Sequence, residues 1–138
     1  MTRWPEWNAS LAGVHVLVVA GDRRALELLT TVLRYCDAAV TPAGSAAEAL
    51  RRLEDVLPHV VVADVERASD QYVAFVRDLR QRSAARGGRV PAVALAPRDE
   101  GIGRAHAFAA GFQEHLPKPI TPWALCRAVA GLAQPAPL

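Results

Sequence analysis

Apolar and polar positions follow each other along the chain in five blocks, each an apolar run followed by a helix-like segment. The first run, 14–19, is almost continuously apolar, as in a strand that is covered on both faces, whereas the second, 38–42, is only weakly signalled. The segments between them carry apolar residues three or four positions apart, which is typical of an amphipathic helix. The predicted strands are 14–19, 38–42, 59–63, 90–96 and 113–116, and the predicted helices are 22–35, 45–56, 70–82, 105–110 and 121–132. Strands and helices in strict alternation predict an α/β fold, a doubly wound parallel sheet with helices on both faces.

Local signals mark where several of these helices begin. Ser45 and Glu48 form a capping-box pattern, in which the Ser45 hydroxyl accepts from the Glu48 amide and the Glu48 carboxylate accepts from the Ser45 amide. Thr121 followed by Pro122 is a good N-cap with proline at the first helical position. These signals fix the second and the last predicted helix more firmly than periodicity does.

Composition changes this picture little, because it is that of an ordinary globular domain. The chain of 138 residues predicts one domain at 13–133, with a flexible extension at 1–12 and a flexible tail at 134–138. A net charge of +2 gives no reason to expect a nucleic-acid partner. No signal peptide and no membrane-spanning run of roughly 20 apolar residues is recognisable, so we expect a cytoplasmic protein without a membrane partner. Cys36 and Cys126 lie far apart in sequence and are interpreted as reduced thiols.

Candidate chemistry follows from the predicted topology. Ligand and catalytic sites in doubly wound sheets form beyond the carboxyl ends of the strands. The residues at those ends are 20–22 after the first strand, 64–67 after the third, 96–98 after the fourth and Lys118 after the fifth. The expected site therefore includes the carboxylate of Asp64 and the ammonium group of Lys118, which come from separate parts of the chain.

Four stretches at these places carry a resemblance to a known family. They are "VHVLVV", "PHVVVAD" ending in Asp64, "VPAVALA", and "AAGFQEHLPKPI" with Gly111, Lys118 and Pro119 at characteristic spacing. Over 14–132 the chain resembles the receiver domain of bacterial two-component response regulators, and most of all the receivers of hybrid histidine kinases. The resemblance implies a flavodoxin-like (βα)5 fold with a five-stranded parallel sheet in the order 2-1-3-4-5.

The resemblance also implies a chemistry, the transfer of a phosphoryl group to an aspartate with Mg²⁺ bridging. Asp64 matches the phospho-acceptor and Lys118 the ammonium group that neutralises the approaching charge. By resemblance the Lys118–Pro119 bond is cis. From the residues alone, Asp64 can also be a turn-starting surface carboxylate and Lys118 a plain loop lysine.

The metal-binding part departs from the family pattern. The family's acidic pair follows the first strand, where this chain has Ala20 and Gly21, and neither side chain can bind a metal. Asp22 comes one position later, where it either caps the first helix or partly replaces the missing ligands. Glu66 can offer a metal its backbone carbonyl, which needs no particular side chain. Mg²⁺ is therefore expected as a cofactor only if Asp22, Asp64 and Glu66 together still bind it.

The switch positions depart as well. Ala96 stands where the family has a hydroxyl that senses the phosphoryl group, and His115 stands where it has a rotating aromatic residue. His115 is either a proton-sensitive switch or a partly exposed surface histidine.

Three functions remain open. The first is an atypical receiver, a phosphorylation-independent protein interaction module that is not an enzyme and in which Asp64 is vestigial. Its partner is a histidine kinase or a downstream effector, bound through the fourth helix, fifth strand and fifth helix, and a homodimer is left open. The alternative is a phosphorelay receiver that accepts a phosphoryl group on Asp64 with weakened Mg²⁺ dependence. The third is a flavodoxin-like enzyme or nucleotide-binding protein, which the absence of a GxGxxG motif disfavours.

Overall fold

Five short parallel strands form the central sheet of the computed structural model, which describes residues 10–66, 71–98 and 103–133. The strand order is β2-β1-β3-β4-β5, as the resemblance implies. The strands are β1 (His15–Val19), β2 (Ala39–Ala43), β3 (Val60–Asp64), β4 (Ala92–Ala96) and β5 (Glu114–Pro117). The helices are α1 (Arg23–Tyr35), α2 (Ala46–Asp55), α3 (Gln71–Arg80), α4 (Arg104–Ala110) and α5 (Pro122–Ala133), with a 3₁₀ turn at Ala84–Arg86. The predicted α/β doubly wound fold is confirmed.

Side chains of the three central strands alternate between two apolar cores, one on each face of the sheet. On β1, Leu17 and Val19 belong to the core that includes α3, and Val16 and Val18 belong to the core under α1 and α5. Because both faces are buried, these strands have no polar face, which explains their uninterrupted apolar sequence. The alternation of side chains between two buried cores thus explains the apolar runs from which these strands were predicted.

The N-cap predictions hold for α1 and α2, with one difference in detail. The Asp22 side chain accepts hydrogen bonds from the amides of Arg24 and Ala25, and the Ser45 hydroxyl accepts from the Glu48 amide at 3.0 Å. The Glu48 carboxylate, however, accepts from the Gly44 amide at 2.7 Å and not from Ser45 as the capping box predicts. It still covers a backbone donor at the helix entry, one residue earlier in the chain.

Arg80 fastens the end of α3 to the beginning of β5. Its Nε donates to the Gly111 carbonyl at 2.8 Å, and its Nη2 donates to Gln113 Oε1 at 2.6 Å. Gly111 has φ +120, and a Cβ built there would lie 2.8 Å from Arg80 Cγ. Glycine is therefore required at 111 by both its backbone conformation and the close approach of the arginine.

Leu11, near the start of the described residues, packs into the core: its side chain is fully buried and its amide donates to the Cys36 carbonyl at 2.8 Å. Leu11 lies two residues before the predicted domain boundary. Residues 1–9, 67–70, 99–102 and 134–138, which include most of the predicted extension, the whole predicted tail and the predicted first residue of α3, lie outside the described part of the chain. Within the described residues, no helix is long and apolar enough to cross a membrane.

Candidate functional site

Parallel pairing brings four strand ends to one edge of the sheet. Val19 of β1 is in register with Ala63 of β3, and Asp64 at the end of β3 is in register with Leu95 of β4. Ala96 of β4 is in turn in register with Pro117, which precedes Lys118. The residues predicted from the topology therefore meet, as expected, at the carboxyl ends of the strands.

Asp64 and Lys118 form an ion pair at this edge. Asp64 is 3 % exposed, and Lys118 Nζ contacts its Oδ1 directly. The Lys118 backbone is held by its amide, which donates to the Ala96 carbonyl at 2.8 Å, and the Lys118–Pro119 bond is cis. The two groups named from the sequence are thus in contact, and Asp64 is a buried carboxylate and not a surface one.

Burial dominates the electrostatics of this pair. Desolvation raises the pKa of Asp64, and Glu66 and Asp22 raise it further, while Lys118 opposes the shift without cancelling it. For Lys118, burial lowers the pKa, but the carboxylates of Asp64 and Glu66 outweigh burial, so its pKa is raised. At neutral pH the ammonium is therefore firmly protonated and remains available to the carboxylate.

Glu66 is a second partner of the ammonium group that sequence reasoning missed. Lys118 Nζ donates to Glu66 Oε1 at 3.2 Å, and the Glu66 side chain is 58 % exposed. From the sequence, only the backbone carbonyl of Glu66 was assigned a role. The Glu66 carboxylate instead pairs with the Lys118 ammonium, the group that by resemblance would contact a phosphoryl group.

Asp22 serves as the N-cap of α1. Its Oδ1 accepts from the Arg24 amide at 2.8 Å and from the Ala25 amide at 3.2 Å. Its charge still reaches Asp64, whose pKa it raises. Of the two roles left open by the sequence, the structure shows the cap.

The two acidic-pair positions, Ala20 and Gly21, offer no metal ligand from their side chains. Ala20 is fully buried, and a Cβ built on Gly21 would lie 2.8 Å from the hydroxyl oxygen of Tyr72 and 3.9 Å from its Cζ. A side chain at 21 would therefore collide with the end of a tyrosine that is itself only 3 % exposed. No sequence pattern predicted that Tyr72 of α3 would lie beside Gly21.

These residues do not fit a Mg²⁺ site of the kind the resemblance implies. Mg²⁺ prefers an octahedron of oxygen ligands, usually with carboxylates among them. Across 10–66, 71–98 and 103–133, no three His, Cys, Asp or Glu side chains are placed to hold a metal ion together. Of the three carboxylates near the site, Asp22 caps a helix, while Asp64 and Glu66 share one ammonium.

Ala96 and His115, which the resemblance assigns to the switch, lie at the end of β4 and within β5. Ala96 is fully buried at the end of β4 and presents a methyl group where a hydroxyl was sought. His115 is half-buried in β5, and its amide donates to Glu114 Oε1 at 2.9 Å. The methyl group of Ala96 offers the Asp64–Lys118 pair neither a charge nor a hydrogen bond.

A cavity of about 430 Å³ opens beside the ion pair. It lies between α1 and the loop that joins β5 to α5, and its walls are mainly apolar. The lining residues are Ala25, Leu28, Leu29, Val32, Asp64, Leu95, Lys118, Pro119, Ile120, Thr121, Pro122 and Leu125. Asp64 and Lys118 are thus the charged groups of an otherwise apolar recess.

Comparison with known proteins places this geometry in a family. No protein-family model matches the sequence. An uncharacterized 14.6 kDa protein in the sodA1 3′ region of Leptolyngbya boryana is 37 % identical over 120 residues, which cover 87 % of this chain and 90 % of that protein. Protein PetR of Rhodobacter capsulatus is 32 % identical over 108 residues, which cover 78 % of this chain and 44 % of PetR, so the chain matches less than half of that relative.

Solved structures with the same fold are receiver domains. A putative response regulator from Chloroflexus aurantiacus superposes with a TM-score of 0.78 at 26 % identity, covering 87 % of this chain and 97 % of that one. The receiver domain of the sensor histidine kinase PA1611 from Pseudomonas aeruginosa, solved with magnesium coordinated in its active-site cleft, superposes with a TM-score of 0.76 at 23 % identity, covering 88 % and 98 %. The PA1611 match shows the fold, and the match to the Chloroflexus response regulator, together with the strand order, shows that the chain belongs to the response regulator receiver domains of two-component signalling.

Proposed function

We propose that this receiver is a phosphorylation-independent interaction module, a binding protein and not an enzyme. The observation that carries the proposal is the state of the acidic-pair positions. Ala20 and Gly21 supply no carboxylate, and the Tyr72 hydroxyl oxygen lies 2.8 Å from where a Cβ at 21 would be. Without those ligands, phosphoryl transfer to Asp64 lacks the divalent cation that would neutralise two approaching anions.

The size of the missing interaction supports this proposal. A pair of unit charges roughly 4 Å apart is worth about 4 kcal/mol at an effective dielectric constant near 20, and a divalent ion feels about twice that from each carboxylate. Loss of two carboxylates therefore removes most of the attraction for Mg²⁺. Lys118 does not compensate, because its charge is already shared by Asp64 and Glu66.

Loss of the sensing hydroxyl points the same way. A phosphoryl group on Asp64 would meet the methyl group of Ala96, which donates no hydrogen bond. His115 replaces the aromatic residue that relatives couple to that hydroxyl. A phosphate signal at Asp64 would therefore have no polar group at Ala96 through which to change the β4–β5 edge.

The face formed by α4, β5 and α5 is the proposed contact with a histidine kinase or a downstream effector. It exposes two aromatic side chains, Phe108 at 43 % and Trp123 at 45 %, and the Arg104 guanidinium lies 5.1 Å from the centre of the Phe108 ring. A recess of about 490 Å³ adjoins Trp123 between β5 and α5. Exposed aromatic residues next to a guanidinium are common anchors of protein interfaces.

Metal and phosphodonor binding test the proposal directly. We expect calorimetric titration with Mg²⁺ to show no binding in the millimolar range, and incubation with acetyl phosphate and Mg²⁺ to leave the intact mass unchanged. The PA1611 receiver domain is the positive control for both measurements. Millimolar or tighter Mg²⁺ binding, or transfer of one phosphoryl group to Asp64, would overturn the proposal.

The contact face is tested with purified histidine kinase cores and effector domains from the source organism, screened for binding to the immobilised chain. Trp123→Ala should weaken the affinity of a binding partner roughly tenfold or more, as expected for an aromatic anchor. Leu57→Ala is the matched control, because Leu57 is 51 % exposed and follows α2, which is not part of this face. Equal losses for both variants, or self-association in place of partner binding, would contradict the assignment.

A phosphorelay receiver is the second candidate, and the intact Asp64–Lys118 pair beside an open recess favours it. Asp64→Asn separates the two functions, because asparagine has no carboxylate oxygen to accept a phosphoryl group but is similar in size to aspartate. Under the proposed function this variant binds the partner as the wild type does. Loss of partner binding or of signalling in Asp64→Asn, with the fold intact, supports the relay.

A further inference from the structure

Two cysteines that are far apart in sequence meet in the core between α1 and α5. Cys36 is the C-cap residue of α1 and Cys126 lies in α5, and their sulfur atoms are 2.9 Å apart across 90 positions of sequence. Their side chains are 6 % and 0 % exposed. Neither thiol takes part in the site at the carboxyl ends of the strands, and both are free in this structure.

The surroundings hold both thiols in place. The Cys36 amide donates to the carbonyls of Val32 and Leu33, and its own carbonyl accepts from the Leu11 amide at 2.8 Å. Cys126 belongs to the apolar core that α1 and α5 share with one face of the sheet. A disulfide requires a sulfur–sulfur bond of about 2.05 Å, so the two atoms need to approach by less than 1 Å.

We propose that Cys36 and Cys126 are an intramolecular modification site that forms a reversible disulfide when the protein meets a small peroxide. One thiolate attacks a peroxide oxygen of H₂O₂, which yields a sulfenic acid and, after protonation of the leaving hydroxide, one water molecule. The second thiol then attacks the sulfenic sulfur, loses its proton and releases a second water molecule. Two thiols are thus oxidised to one disulfide, and one H₂O₂ is reduced to two water molecules.

Burial of the two thiols limits which oxidants can reach them and how fast they are oxidised. H₂O₂ is small enough to reach a sulfur through local opening of the helix, whereas a bulky disulfide reagent is excluded from atoms this deeply buried. Desolvation raises the pKa of Cys126, and the neighbouring Cys36 raises it further. Because the thiolate is the nucleophile, oxidation should be slow at neutral pH and faster as the pH rises.

The bond would tie the C-terminal end of α1 to α5, which carries Trp123 of the contact face. The disulfide would close a loop of about 90 residues. A cross-link across so long a loop strongly reduces the conformational entropy of the unfolded chain. Oxidation is therefore expected to stabilise the whole domain and to fix α5 on the sheet. This inference does not depend on whether Asp64 is phosphorylated.

Intact-mass measurement of the folded chain after H₂O₂ treatment tests the proposal. Apart from any oxygen added to the Met1 sulfur, we expect a loss of two hydrogen atoms, a cross-linked pair of peptides containing Cys36 and Cys126, and a urea denaturation midpoint that rises and then returns to its original value after reduction. Titration of thiols in denaturant should give two before oxidation and none after it.

Cys36→Ala and Cys126→Ala are the matched controls, since each keeps an apolar side chain but removes one sulfur. Neither should show the rise in urea midpoint, and each should gain oxygen atoms on its remaining sulfur. The proposal is overturned if the folded wild type gains oxygen atoms instead of losing hydrogen, forms only intermolecular disulfides, or reacts only after unfolding. The wild-type mass result stands by itself even if one alanine variant does not fold.

Discussion

The Asp64 carboxylate and the Lys118 ammonium occupy positions where a charge is expensive unless it is paired. Asp64 is almost completely shielded from water, and its pKa remains raised even with an ammonium in contact. In the ionised state the carboxylate therefore opposes folding relative to its protonated form. A buried ion pair of this kind is weak evidence for stability, so its contribution has to be measured by substitution of each partner.

Asp64→Asn should make the protein more stable at neutral pH. Because the pKa of Asp64 is higher in the folded state than its ordinary value of 3.8, the stability that this group contributes is fully present below 3.8 and is lost as the pH rises through the folded pKa. Asparagine carries no charge and does not have this loss, and in the variant the partly exposed Lys118 ammonium keeps Glu66 as its partner. Urea denaturation should show a higher free energy of unfolding for the variant at neutral pH and no difference below pH 3.8.

Lys118→Met is the informative counterpart, because it leaves the buried carboxylate without its ammonium. Removing one partner of a buried pair costs about 3 to 5 kcal/mol, and the 30 % exposure of Lys118 places the expected loss at the low end. The deficit should shrink as the pH falls, since Asp64 then becomes neutral. Combining both substitutions should recover most of the stability at neutral pH, and equal losses in the single and double variants would contradict this coupling.

At the scale of helices and strands, the sequence was a reliable guide wherever a short-range rule applied. Apolar runs located the three central strands, and Ser45 and Asp22 began α2 and α1 as predicted. Errors arose at the ends. β4 begins at Ala92 and not at Val90, because Pro91 has no amide hydrogen to give to the ladder.

Substitutions at Asp22 test whether its capping hydrogen bonds or its charge contribute to the stability of the protein. Asp22→Ala removes the oxygen that accepts from Arg24 and Ala25 and should reduce the free energy of unfolding by about 1 kcal/mol. Asp22→Asn keeps an accepting oxygen and should cost only a small fraction of that, although it also removes a charge that raises the pKa of Asp64. Chemical denaturation of the three proteins decides, and a loss in Asp22→Asn as large as in Asp22→Ala would indicate a role for the charge itself.

At the scale of the whole molecule, the features missed from sequence are contacts between elements that lie far apart in the chain. Tyr72 of α3 approaches Gly21 after β1, Glu66 reaches Lys118, and Cys36 meets Cys126. No local pattern encodes these contacts, because each depends on how two helices or loops are placed against the same sheet. The Asp64–Lys118 pair was predicted because the topology alone brings strand ends together.

Rebuilding the acidic pair tests how these distant contacts shape the site. Ala20→Asp with Gly21→Asp restores two carboxylates, but the Cβ at 21 would still meet the Tyr72 hydroxyl oxygen at 2.8 Å. Tyr72→Phe removes that oxygen and leaves the nearest ring carbon at 3.9 Å, an ordinary contact. The triple variant should therefore bind Mg²⁺ in calorimetric titration and accept a phosphoryl group from acetyl phosphate on Asp64.

The double variant without Tyr72→Phe should bind Mg²⁺ at least tenfold more weakly than the triple variant, and Tyr72→Phe by itself should not bind it. This order of Mg²⁺ affinities is expected because the metal needs both the carboxylates and room for the side chain at 21. The double variant supplies only the carboxylates, and Tyr72→Phe supplies only the room. Adding Asp64→Asn to the triple variant should abolish labelling while circular dichroism shows the fold retained. If the double variant binds Mg²⁺ as tightly as the triple variant, Tyr72 has no part in excluding the metal, and the two missing carboxylates alone account for its exclusion.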